Sequence, residues 1–182
     1  LQVNREHLRE GRAQAVVANS KNANACTGEQ GLADAHRTAR IAAEGLGLVP
    51  EDILVNSTGV IGVPLPMDRI EAGLKDAISK LSANGWDRAA EAIMTTDTVP
   101  KKAAVQLQLG GREITLCGIA KGAGMIAPHM ATMLAFLATD AGIAPEPLKA
   151  CLQEAVGQSF NCITVDGDMS TNDTILILAN GA

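Results

Sequence analysis

Between Lys121 and Asp140 the sequence reads KGAGMIAPHMATMLAFLATD, placing Thr132 where a glycine-rich loop gives way to an apolar run. Ala131 and Met133 flank it, too plain a neighbourhood for an ordinary phosphate or metal site. The residue makes chemical sense as a nucleophile created by cutting the Ala131–Thr132 bond. Scission leaves a free α-amino group beside the threonine's own hydroxyl, so one residue holds both nucleophile and base. An α-amine with an unperturbed pKa of about 7.7–8.0 suits a general base at neutral pH. The β-branch also restricts the hydroxyl's rotamers. Gly122 and Gly124 permit close backbone approach, and Pro128 stiffens the path to the bond. Taken by itself, a threonine before an apolar run is more ordinarily a helix cap or a strand residue.

Acyl transfer also requires donors for a developing oxyanion. Thr58-Gly59, closing a predicted strand, supplies a hydroxyl and an unhindered backbone N–H, although the same pair would serve as a plain tight turn. Lys121 opens the glycine-rich loop and could anchor a substrate carboxylate, where a surface lysine is the default. Thr95, Thr96 and Thr98 of TTDTVPK either line a polar pocket or cap turns.

Other chemistries fit poorly. Asp166 to Asp173, DGDMSTND, begins like a calcium loop, but Thr171 holds the glycine position and Ile177 that of the last acidic ligand. A hydrogen-bonded turn presenting Asp and Asn side chains is the better expectation. Gly122 to Ala127 is neither a dinucleotide fingerprint nor a phosphate loop. His7, His36 and His129 share no ligand spacing, and His129 reads as incidental despite lying near Thr132. Cys26, Cys117, Cys151 and Cys162 are far apart, as expected of buried or incidental thiols in a reducing cytoplasm. The net charge of −5 and the lack of any Lys/Arg block beyond Lys101-Lys102 argue against nucleic acid as a partner. No apolar stretch is long enough to span a bilayer, and LQVNREHLREGR does not read as a signal peptide.

The elements that must position these residues follow from the apolar pattern. With 47% hydrophobic but only 2% aromatic residues, small and branched side chains must fill a core of closely packed α and β layers. Strands are predicted at Ala15–Ala18, Ile53–Asn56 and Ile175–Leu178. Helices are predicted at 31–45, 67–81, 86–94 and 147–156. Val105, Leu107 and Leu109 alternate with glutamines, and Gly110-Gly111 turns the chain into Ile114–Leu116, which makes this the clearest hairpin. The run after Met133 is read as a strand. The order is α/β or α+β, with the strand order left open.

Several long words in register resemble the ornithine acetyltransferase family, the bifunctional glutamate N-acetyltransferases of arginine biosynthesis. They are NSKNANACTG (19–28), NSTGVIGVPLPMDRI (56–70), AIMTTDTVPK (92–101), KGAGMIAPHMATMLAFLATDA (121–141) and SFNCITVDGDMSTNDT (159–174). The resemblance implies an α/β, layered α+β, N-terminal-nucleophile fold related to the autoprocessed aminopeptidases. It implies that Thr132 is released by autoproteolysis after Ala131, that Thr58 and Gly59 form the oxyanion hole, and that Thr98, Lys121 and Thr132 contact the amino-acid substrate. It implies acetyl transfer from N-acetylornithine to glutamate through an acetyl-threonine, with acetyl-CoA as a second donor in many members; the residues themselves lead to the expectation of no bound cofactor or metal. Paired α and β chains in the cytoplasm are likewise implied.

On that reading residues 1–182 form one partial domain, with 1–131 in the α portion and 132–182 opening the β portion. Family members are longer, and the acidic residue and C-terminal asparagine that complete their site are expected beyond Ala182. An N-terminal-nucleophile aminopeptidase or amidase uses the same catalytic logic without glutamate as acceptor. An inactive piece serving subunit assembly is the rival from another class.

Overall fold

The computed structural model describes residues 1–127, 133–168, 170 and 172–182. Two compact units divide the chain, Leu1–Gly85 and Trp86–Ala182.

The first unit is built on a parallel pair, β1 (Ala15–Asn19) and β2 (Ile53–Ser57), in register from Ala15 opposite Ile53 to Asn19 opposite Ser57. A parallel pair needs a long crossover, and α2 (Gly28–Leu46) provides it. Its alanines explain the fit: Ala39, Ala42 and Ala43 are buried against Ile53, with Val17, Val55, Leu46 and Leu74 around them. The helix stops at Gly47, whose φ of 69° is left-handed, and Leu48 N–H reaches back to the Ala43 carbonyl at 2.9 Å. That six-to-one bond marks a Schellman end. A third helix, α3 (Met67–Ser79), packs on α2 closely enough that a Cβ on Gly45 would stand 2.6 Å from Ile78 Cδ1.

The sequence reading did not anticipate α1 (Gln2–His7). Six residues without a capping side chain have little intrinsic reason to be helical. Tertiary bonds hold them instead. Asn4 Oδ1 accepts the Val55 N–H at 2.8 Å, and His7 Nδ1 lies 2.7 Å from the Ile53 carbonyl. Two side chains one helical turn apart therefore do for the outer edge of β2 what another strand would do.

In the second unit, α4 (Trp86–Ala92) precedes a four-stranded sheet of β3 (Lys101–Leu109), β4 (Arg112–Lys121), β5 (Leu134–Thr139) and β6 (Thr174–Ala179), hydrogen-bonded in that order. The first two pairings are antiparallel and the last is parallel. The predicted hairpin is present and extends further than its apolar alternation suggested. Gly110 and Gly111 have φ of 59° and 81°, the double positive φ of the tight turn favoured between strands. The run after Met133 is the strand β5. Its parallel partner β6 is reached through α5 (Pro145–Gly157), which begins two residues before the predicted start, with Pro145 at the first helical position.

Candidate functional site

The loop after β2 is fixed by what lies opposite it. Thr58 N–H donates to the Asn19 carbonyl at 3.0 Å, and Val60 N–H to the Lys21 carbonyl at 3.1 Å. Gly59 between them has φ of 130°, and any Cβ there would meet the Lys21 carbonyl carbon at 2.2 Å. Thr58 is buried, at 4% exposure. Among the described residues, neither its hydroxyl nor the Gly59 N–H is committed to a hydrogen bond. The facing segment is braced in turn. Asn24 N–H donates to Ser57 Oγ at 2.8 Å, Asn24 Nδ2 to the Gly31 carbonyl at 2.7 Å, and Thr27 Oγ1 to Asn24 Oδ1 at 2.6 Å. NSKNANACTG and NSTGV are thus two halves of one rigid turn, which leaves one backbone donor and one hydroxyl available side by side.

In the second unit Lys121 ends β4, and at 1% exposure it is among the most deeply buried side chains described. Its Nζ lies 3.4 Å from Thr95 Oγ1. Burial pushes the ammonium below its ordinary pKa, opposed by the negative charges of Asp97 and Asp173. Burial would raise the Asp97 carboxyl, but its bonds to Lys101 and to the Gly122 and Thr95 N–H groups prevail and hold it below the ordinary value. Asp173 goes the other way. Burial lifts it to about 6, although it accepts the Met133 N–H at 3.0 Å and feels Lys121. A lysine and a carboxylate with opposed shifts, close enough to interact, are a common mark of a working site.

The segment 164–174 also holds the chain on both sides of residues 128–132. Upstream, Asp166 accepts the Met125 and Ile126 N–H groups at 2.7 and 2.9 Å, bonds that keep its carboxyl below the usual range. Val165 N–H donates to the Ile126 carbonyl at 2.9 Å. Downstream, Asp173 takes the Met133 N–H, and Thr174 N–H donates to the Met133 carbonyl at 3.0 Å. The acidic turn is therefore built from hydrogen bonds to backbone. Among the described residues no group of three or more His, Cys, Asp or Glu side chains is placed to hold a metal.

Of the residues singled out in the sequence, Thr58 and Gly59 lie together in the first unit, while Thr98 and Lys121 belong to the second. Thr98 is exposed beside Asp97. Ala131, Thr132, Pro128 and His129 lie outside the described residues, as does Thr171. Cys26, Cys151 and Cys162 are exposed free thiols, and Cys117 is half-buried. A shallow groove of about 340 Å³ between Val105, Ile119, Leu137 and Phe160 is lined almost wholly by apolar groups, and Lys121 is not part of its wall.

A model described as the ArgJ family matches residues 1–182, the whole length of the chain. The chain belongs to the ArgJ family. Among curated ArgJ relatives, "Arginine biosynthesis bifunctional protein ArgJ" of Symbiobacterium thermophilum is 61% identical over 94% of this chain and 42% of its own length. The protein of the same name from Chlorobium chlorochromatii is 56% identical over 99% of this chain and 42% of its own. The chain thus spans less than half the length of these relatives. Two solved structures match with a TM-score of 0.65. One is the bifunctional ArgJ protein of Bacillus halodurans, 40% identical over 73% of this chain and 69% of that one. The other is an ornithine acetyltransferase complexed with ornithine from Mycobacterium tuberculosis, 43% identical over 70% of this chain and 68% of that one. The fold is accordingly the mixed α/β architecture of ornithine acetyltransferases, as the sequence led one to expect.

Within this ArgJ-family chain, the carboxylates Asp97 and Asp173 are the structural members of the site that the sequence reading passed over. Both sit in polar turns, where an aspartate is ordinarily a local cap. Asp173's contact is with Met133, forty residues earlier in the chain, and no local pattern announces such a pairing.

Proposed function

We propose that this chain carries the nucleophile, oxyanion donors and part of the substrate pocket of an acetyltransferase that moves acetyl from N-acetylornithine to glutamate. The observation that carries the reading is Thr58-Gly59, a buried hydroxyl and an N–H uncommitted among the described residues, on a braced turn in a chain that belongs to the ArgJ family throughout. A similar protein was solved with ornithine bound, which supports an ornithine-derived substrate.

In the first stage the Thr132 hydroxyl attacks the Ala131 carbonyl carbon, the peptide C–N bond breaks, and an ester forms. Water hydrolyses that ester, leaving a carboxylate on Ala131 and a free amine on Thr132. In the second stage the hydroxyl attacks the acetyl carbonyl of N-acetylornithine while the Thr132 amine takes its proton. Thr58 Oγ and Gly59 N–H stabilise the oxyanion. The C–N bond breaks, the proton passes to the departing amine, and ornithine leaves behind an acetyl-threonine. The glutamate amine then attacks that ester, releases N-acetylglutamate and restores the hydroxyl. Lys121 offers its ammonium to the substrate carboxylate, and Thr98 contributes a hydroxyl at the pocket.

Acetyl-CoA serves as an alternative donor, and no bound cofactor is required. Scission yields α and β portions that stay associated and dimerise as αβ pairs in the cytoplasm. Intact-mass measurement after incubation with N-acetylornithine tests the scheme. An acetyl group is expected on the piece beginning at Thr132, and Thr132→Ala should give neither scission nor adduct. A cleaved wild-type protein that acquires no acetyl would reject it.

A further inference from the structure

Resting on the reading of Thr132 as nucleophile, we infer that Asp173 is a positioning residue that fixes the new chain end through the neighbouring peptide. Its Oδ1 accepts the N–H of Met133, the residue bonded directly to Thr132, at 3.0 Å. Thr174, next along the chain, holds the Met133 carbonyl at 3.0 Å. Met133 is therefore gripped at both its backbone groups by the first residue of β6 and the residue just before it, and it is itself buried, at 8% exposure. The Ser170 hydroxyl also approaches this carboxylate, although the second oxygen, Oδ2, is buried without a well-formed hydrogen bond among the described residues. A carboxylate oxygen so placed costs free energy, and that cost is carried here together with the bond the other oxygen makes to Met133.

The grip matters because a peptide freshly cut on one side loses the tether that held it. Scission removes the covalent link to Ala131, and Met133 is then the one residue joined to Thr132 through the chain. A hydrogen bond across forty residues keeps that single tether in register with the end of β4, where Lys121 lies within electrostatic range of Asp173. A hydroxyl displaced by about 1 Å can lose about a hundredfold in rate. Asp173 thereby keeps the nucleophile aimed after the bond that first aimed it has gone.

The test compares Asp173→Ala and Asp173→Asn with wild type, following chain splitting by denaturing gel and mass spectrometry, with melting curves alongside. Asparagine retains an acceptor for the Met133 N–H, so once split D173N should turn over N-acetylornithine within about tenfold of wild type, whereas split D173A should be slowed about a hundredfold. In the D173A protein that has split, kcat should fall while KM for N-acetylornithine stays within about twofold. D173A that turns over at the wild-type rate once split overturns the inference. So does D173N with a native melt but the full hundredfold loss, because charge and not the acceptor would then be at work. If D173A does not melt cooperatively, D173N alone decides on the same criterion. Thr132→Ala run in parallel separates the levels. If it splits normally, the nucleophile assignment falls and this inference with it; if it stays whole while D173A behaves as wild type, only the positioning role falls.

Discussion

Gly59 and Lys21 stand so close that a single added carbon on the glycine would lie 2.2 Å from the lysine's carbonyl carbon and 2.4 Å from its oxygen. Backbone atoms cannot move aside as a flexible side chain can. With φ of 130° added to the clash, Gly59→Ala should cost about 3 kcal/mol of folding stability, seen as a lower denaturant midpoint at unchanged slope. A fully stable alanine variant would mean that the loop after β2 is looser than described.

Thr58 separates chemistry from stability. Its hydroxyl supports nothing else among the described residues, so Thr58→Ala should alter stability by less than about 1 kcal/mol. Loss of an oxyanion donor should still lower kcat by about 10²–10³. Single-turnover acetylation of the enzyme measures that step, and an unaffected rate would remove the threonine from the oxyanion site.

Lys121→Met tests the buried ammonium. Methionine fills a similar volume without charge, so the fold should persist in circular dichroism. Loss of a charged contact to the substrate carboxylate should raise KM for N-acetylornithine about thirtyfold, or about 2 kcal/mol. An unchanged KM would place the substrate carboxylate elsewhere.

Asp173 predicts a pH dependence of definite sign. Its carboxyl is raised from 3.8 to about 6 in the folded chain, so between those values the folded state holds the proton more firmly than the unfolded state does. Stability contributed by this group is therefore present below pH 3.8 and lost as pH rises through about 6. Asparagine cannot ionise. The difference in melting temperature, D173N minus wild type, should grow between those pH values and level off above them. A difference that stays constant across the window would show that Asp173 ionises at its ordinary value.

Legibility from the sequence followed the range of the interactions involved. The alternation through Val105, Leu107 and Leu109 and the glycine pair behind it are local signals, and the hairpin is where they put it. The helix predicted over 31–45 is present as part of α2, with Ala39 and Ala42 buried against β2. The seven-residue helix 86–92 and the strand after Met133 also came from short-range pattern. Failures arose where distant atoms decide. The helix at the amino end depends on bonds from Asn4 and His7 to residues around fifty positions later. Asp97 and Asp173 looked like turn residues because their partners, Gly122 and Met133, lie 25 and 40 positions away. Of the TTDTVPK threonines Thr95 does meet the Lys121 ammonium, at 3.4 Å, while the aspartate among them takes the Gly122 N–H of the glycine-rich loop.

The closure of β2 by Asn4 and His7 has a practical side. Trimming the first seven residues would bare the Val55 N–H and the Ile53 carbonyl on one margin of a parallel pair. An uncovered margin of that kind is a template on which a second molecule can add. Clumping of shortened preparations would then trace to two lost side chains and not to any weakness of the interior.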